Sequence, residues 1–323
     1  MPRPRRRNHR VTISTKRIGA LAVAAAFAFG ACSSGGGATT APSTAPSAQS
    51  SSAASPEASA SAGGAAAVTC ADGKITALGS TALQPVVDAA AKQFVAACSG
   101  ATIDVQGGGS GTGLTQVFQG GADIGNSDVA AEKKLKPEEA SALVDHIVAR
   151  QGWLMIASKD VASVTNLTSQ QATDIWTGKI TNWNQVGGPD LPIVLVLRPE
   201  SSGTRAVFKE KVLGGAAEAS GQALTEDSNG AVAQGVAQTP GATSVLAFAY
   251  FAANQGDLVG ISLDGVVASV DNLTNGTYKL QDNGHMYTKG EPDGLKKAFL
   301  DYMLSDTVQN TLLPSLSYAP ASE

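Results

Sequence analysis

The chain has 323 residues, of which 43% are hydrophobic and 15% charged, with a formal net charge of −4. That length allows one large domain or two lobes with a substantial core. The acidic balance argues against nucleic acid as a partner, and three histidines leave little for metal or triad chemistry.

Arg3, Arg5, Arg6, Arg7, Arg10, Lys16 and Arg17 precede an apolar run, Ile18 to Ala31, that is short for a bilayer span. This is the layout of a secretory signal peptide over residues 1–31. The run ends Phe29-Gly30-Ala31-Cys32, which resembles a lipobox and makes Cys32 the expected lipidation site, although Phe29 stands where Leu is usual. Residues 32–68, rich in Ser, Ala, Gly, Pro and Thr, cannot bury enough apolar surface to fold and are expected to be a disordered, lipid-anchored linker. Without the leader's cations the remaining chain is acidic by about eleven charges. An anion site in it must therefore be built from local dipoles and a few placed cations.

Cys70 and Cys98 follow the leader in a chain expected to be exported, where paired thiols oxidise. Cys70 precedes a predicted strand, Lys74–Leu78, and Cys98 ends the predicted helix Leu83–Ala97. A helix running back along its strand brings both to one end, so a disulfide is expected. Ala101–Gln106 reads as a second strand, Ser110 to about Gln119 as a helix and Ala122–Gly125 as a third strand. Strands at Gly152–Ser158 and Pro192–Leu197 follow, with helices at Ser169–Trp176, Gly203–Val212 and Gly294–Leu304. The alternation predicts an α/β fold with a parallel sheet, in which ligands bind where strand ends turn into helix starts.

The loops at those positions are rich in glycine and hydroxyls. They are Gly79-Ser80-Thr81, Gly107 to Gly113 with Ser110, Gly125-Asn126-Ser127-Asp128, and Arg198 to Arg205 with Glu200, Ser202, Gly203 and Thr204. A hydroxyl at a helix start is by itself only an N-cap. Several together, beside an arginine, form an oxyanion site of free N–H groups, hydroxyls and a guanidinium fork. Glu200 is placed to orient Arg198. Asp128 adds selectivity, because an ionised carboxylate only accepts hydrogen bonds and so favours an oxyanion that still carries a proton. Ser228-Asn229-Gly230 is a further candidate helix start.

Nucleotide-binding signatures are missing, and the Gly107 to Gly113 run has Thr112 where a nucleophile elbow needs glycine. His146 and His285 have no metal-spaced partner. No metal, cofactor or catalytic residue is therefore expected.

With these residues in place, the chain resembles the substrate-binding proteins of bacterial phosphate ABC transporters from Lys74 to Tyr318. The resemblance rests on Leu78 to Thr81, Gln106 to Gly113, Asp123 to Asp128, Trp176 to Trp183, Arg198 to Arg205 and Tyr287 to Gly290. It implies a two-lobed clamshell, the type II periplasmic-binding-protein fold, with lobe 2 (158–246) inserted into lobe 1 (69–157 and 247–323). It also implies phosphate held by Ser80, Thr81, Ser110 and Asp128 on one side and by Arg198, Ser202, Gly203 and Thr204 on the other. A monomeric receptor outside the cytoplasm, anchored to the cell membrane and delivering to a permease, follows from the same resemblance. Gly241 to Val245 departs from the family's Ile-Gly-Tyr pattern and puts packing near the hinge in question. A receptor or sensor for another oxyanion, and a secreted phosphohydrolase, remain as alternatives.

Overall fold

A computed structural model describes residues 68–321 with the exception of Gln222. The expected signal peptide, Cys32 and nearly all of the linker lie outside the described residues. Among the described residues no helix is long and apolar enough to cross a membrane.

The chain opens with β1 (Gly73–Gly79), α1 (Gln84–Ala97), β2 (Ala101–Gln106), α2 (Ser110–Gln119) and β3 (Ile124–Ser127). After α3 (Pro137–Ala140) comes β4 (Leu143–Ser158), then β5 (Asn166–Leu167), α4 (Ser169–Trp176), β6 (Val194–Leu197) and α5 (Gly203–Lys211). The rest is β7 (Ala223–Thr225), α6 (Asn229–Gln238), β8 (Ala242–Ala247), α7 (Phe248–Ala253), β9 (Leu258–Leu263), α8 (Val270–Thr274), β10 (Gln281–Lys289) and α9 (Gly294–Met303).

The α/β class is as expected, but the sheet is mixed rather than parallel. Its strands run β2-β1-β3-β10-β4-β8-β6-β7, with β9 also on β4. β1 to β3 pair in parallel, as do β6 to β8, while β4 and β10 run antiparallel to their neighbours. β4 joins the two parallel parts. Residues 143–152 pair with β10, and residues 153–158 pair with β8 and β9.

Two large cores flank this junction. Val87, Phe94, Ile124, Met286, Phe299 and Met303 belong to one, where Phe94 meets Phe299 and Tyr302 edge-on at 5.8 and 5.6 Å. Trp153, Trp176, Trp183, Phe208, Leu246 and Ile261 belong to the other. The second core also takes in Phe248, Leu273, Tyr278 and Leu280, which lie beyond the lobe boundary expected at 246. β4 holds the last two there, since Trp153 N donates to Leu280 O at 3.0 Å and the Tyr278 hydroxyl donates to Trp153 O at 2.8 Å. We therefore propose a second lobe that reaches from about the middle of β4 to the start of β10.

The third strand lies two residues later than expected. Gly120 closes α2 in the left-handed region at φ 79°, and Ala122 N still bonds back to Gln116 O, so the chain is not yet extended there. The segment in question near the hinge forms β8. Thr243 Oγ1 donates to Ile156 O at 2.7 Å and Ser244 Oγ to Val196 O at 2.6 Å, so both buried hydroxyls are satisfied by neighbouring strands.

Cys70 and Cys98 are bonded, with Cα atoms 5.4 Å apart, and tie the segment before β1 to the end of α1. With a sequence separation of 28, replacing both by serine is expected to remove about 3–4 kcal/mol of stability. Urea unfolding of the double variant against the oxidised parent measures this, and equal midpoints would refute it.

Candidate functional site

The first wall is built at the ends of β1 and β3. Gly79 sits at φ 144°, and a Cβ there would lie 2.1 Å from Asn126 O, so only glycine lets the two strand ends approach. Ser80 N then donates to Asn126 O at 2.8 Å. The Ser80 hydroxyl oxygen accepts from Ala82 N (3.1 Å) and Leu83 N (3.0 Å), which closes the turn into α1 and leaves its proton to donate to Asp128 Oδ1. Ser110, the first residue of α2, accepts Asp128 N at 2.9 Å.

Asp128 is 2% exposed, directly after β3. Besides Ser80, Oδ1 accepts Gln151 Nε2 at 3.0 Å, and Oδ2 accepts the Thr204 hydroxyl from the opposite wall at 3.4 Å. Burial pushes the Asp128 carboxyl above the usual carboxylate range, while Ser80, Arg198, Gln151 and Thr204 pull it back.

The second wall begins where β6 ends. Arg198 is 5% exposed, and its Nη2 donates to Asp227 O at 3.1 Å and Thr81 Oγ1 at 3.5 Å. Its Nε and Nη1 are buried with no protein partner. Each unmet buried donor costs about 1–3 kcal/mol, more on a cation, so these atoms call for an acceptor. Burial also lowers the guanidinium pKa, opposed by Asp128.

Ser202 Oγ caps α5 by accepting Arg205 N at 3.2 Å. Thr204 Oγ1 accepts Trp153 Nε1 at 3.0 Å, which turns its own proton toward Asp128. A Cβ on Gly203 would lie 2.1 Å from Ser110 Oγ and 2.6 Å from Asp128 Cβ, so the walls meet through this glycine. Gly111 N donates to Ser201 O at 2.9 Å, and Lys134 Nζ donates to the carbonyls of Glu200 (2.7 Å) and Ser202 (3.2 Å). These contacts tie the walls together.

Glu200 does not orient Arg198. Its side chain is 79% exposed and pairs with Arg205 at 3.0 Å, and Arg198 is held by Asp227 O and Thr81 instead. Asn229 proves more central than a plain helix start. Its N (3.2 Å) and Nδ2 (3.0 Å) both donate to Thr81 Oγ1, and its Oδ1 accepts Ala247 N at 3.1 Å. Thr81 thus accepts from Asn229 and Arg198, which frees its proton for another acceptor. The eight expected anion-binding residues Ser80, Thr81, Ser110, Asp128, Arg198, Ser202, Gly203 and Thr204 gather on these two facing walls. Gln151, Trp153 and Lys134 join them without having been expected. A polar glutamine beside the apolar run 152–158 was the available signal for the first.

A profile of the PBP superfamily domain matches residues 64–307. The chain is 45% identical over 253 residues to the phosphate-binding protein PstS of Bacillus subtilis, a match covering 78% of this chain and 82% of that protein. Among solved structures it is similar to a phosphate ABC transporter substrate-binding protein with bound phosphate from Clostridium perfringens. There the TM-score is 0.70 and the identity 29%, over 77% of this chain and all of that one. An ABC-type phosphate transport receptor from Vibrio cholerae matches with a TM-score of 0.60 and 27% identity, over the same shares.

Gly203→Ala is expected to hold the walls apart, because the new methyl would occupy the space of Ser110 Oγ and Asp128. Small-angle scattering should report a larger radius of gyration than the parent's, with thermal unfolding showing a folded protein. An unchanged radius would refute the steric argument.

Proposed function

We propose that this chain, which belongs to the PBP superfamily and, within it, to the phosphate-binding proteins of ABC transport systems, captures inorganic phosphate between its two walls and hands it to a membrane permease. The carrying observation is the opposition of Asp128 and Arg198. One wall presents a carboxylate that can only accept hydrogen bonds; the other presents a guanidinium with two unpartnered nitrogens that can only donate. Phosphate at neutral pH offers both a proton for Asp128 and oxygens for Arg198. Sulfate offers no proton, so it would leave Asp128 facing a bare oxyanion.

In this reading Ser80, Thr81, Ser110 and Asp128 bind phosphate from one wall, and Arg198, Ser202, Gly203 and Thr204 from the other. Closure of the walls by a hinge about β4 buries the ligand. No bond is broken. Asp145 engages His285 and Thr288 engages His146, so neither ring is paired with a hydroxyl of the site. A monomer outside the cytoplasm, held to the cell membrane through a lipid on Cys32, completes the proposal; the basic, then apolar, N-terminus and its Phe29-Gly30-Ala31-Cys32 end support the export and the anchor.

Calorimetric titration at neutral pH tests the reading. Phosphate should bind and sulfate should not; no heat with phosphate, or equal affinities, would overturn it. Asp128→Asn is expected to narrow the gap between the two anions by about tenfold or more, since a charged hydrogen bond is worth roughly 1.5–3 kcal/mol.

The same variant makes a stability prediction. The Asp128 pKa is raised in the folded state, so its contribution to stability is full below the ordinary carboxylate value and is lost as pH rises through the raised one. Asp128→Asn removes that loss. Its urea midpoint relative to the parent's, without phosphate, should therefore climb from about pH 4 upward. A constant difference across pH would refute the assignment.

A further inference from the structure

Asp128 can read the ligand's proton only while it is itself ionised, yet burial drives it toward the neutral acid. Three uncharged groups donate to it. Ser80 accepts two backbone N–H groups and so is held as a donor to Oδ1, while Thr204 accepts Trp153 Nε1 but keeps a second lone pair, so its hydroxyl can serve either protonation state. Gln151 is an amide, and its orientation decides whether Oδ1 meets a second fixed donor. Its Nε2 stands 3.0 Å from Asp128 Oδ1 and 3.4 Å from Asn283 O, and the carbonyl can only accept. Turning the amide over would set its oxygen against both acceptors, so Gln151 is locked as a donor. Its Oε1 is left buried with no protein partner. A glutamine present only to fill space would have no reason to take this arrangement.

The geometry points to Gln151 as the positioning residue that, beside Ser80, keeps Asp128 ionised and thereby sets the selectivity for a protonated oxyanion. The inference rests on the phosphate reading above. Gln151 is 1% exposed on β4, two residues from Trp153, whose indole N–H orients Thr204. One face of the strand at the junction of the two cores therefore controls both the donor on Oδ1 and the donor on Oδ2. The charged and titratable groups that also act on Asp128 are Arg198 from the loop after β6, Lys134 from the segment before α3 and Tyr318 from the C-terminal segment. None of them touches Oδ1, which Ser80 and Gln151 share.

Removing the amide donor raises the Asp128 pKa, so the acid-side fall of phosphate affinity must move to higher pH. In Gln151→Met, similar in length with no donor, that limb should shift upward by about one unit, and phosphate-over-sulfate discrimination at neutral pH should drop about tenfold. Gln151→Glu, which repels an ionised Asp128, should shift it further in the same direction. Both are read by calorimetry of phosphate and sulfate across pH on the mature chain. Equal losses for the two anions with an unmoved pH limb would mean that Gln151 only packs, and would overturn the inference. Should neither variant fold, the Gln151 side-chain amide resonances of the parent must titrate with the midpoint of its acid limb; resonances indifferent to pH overturn the inference equally. A parent that binds no phosphate refutes the functional reading instead, while a selective parent with indifferent variants refutes only this role.

Discussion

The structure is organised around one expensive act, the burial of the Asp128 carboxylate at the point where two walls meet. An isolated buried charge is not tolerated unless donors replace the water it has lost. Here they come from separated parts of the chain: Ser80 after β1, Gln151 on β4 and Thr204 in α5, with Arg198 supplying opposite charge after β6. Thr204 and Arg198 belong to the second wall, so the carboxylate is fully served only when the walls are together. In the proposed reading, closure and the state of Asp128 are thus one equilibrium, and a ligand that brings a proton to the carboxylate favours the closed arrangement.

β4 makes this coupling possible. Its first half pairs with β10 and its second with β8 and β9, so it belongs to both halves of the sheet. Gln151 and Trp153, two residues apart and so on one face, stand where the pairing changes. Helix caps extend the same economy of parts. Ser80 closes the turn into α1 while donating to Asp128, and Ser202 caps α5 beside the glycine through which the walls touch. A hydroxyl whose oxygen is occupied by backbone N–H groups has its proton aimed by that occupation, which preorganises the site before any ligand arrives.

The loops proposed to bind phosphate were legible in the sequence because their chemistry is local. Glycines that permit close approach, hydroxyls at helix starts and an arginine after a strand are all visible within a few residues, and α1, β2, α2 and α4 followed from hydrophobic spacing with little error. What was illegible depends on distant pairing. β10 begins Gln281-Asp282-Asn283-Gly284, with no apolar alternation to announce a strand, and it exists because β3 and β4 flank it. The antiparallel course of β4 and β10, which makes the sheet mixed, is invisible to local pattern for the same reason. Glu200 misled because proximity along the chain suggested Arg198, whereas the helix start directs the carboxylate to Arg205. Gln151 lies 23 residues from Asp128 and had no local reason to be chosen.

The charge balance of the site explains how an acidic protein can hold an anion. With an excess of about eleven negative charges after residue 31, long-range attraction works against capture. Arg198 and Asp128 roughly cancel within the site, so little net Coulomb pull remains there either. In the proposed reading, binding comes from hydrogen bonds of fixed polarity: the unpartnered Arg198 nitrogens, the hydroxyl proton of Thr81 and the N–H groups opening α2 and α5 as donors, with Asp128 as the single acceptor. Such a site counts donors and acceptors rather than charge. An oxyanion of the right size but lacking one proton fails in it, because the mismatch falls on a buried carboxylate that has no water to turn to.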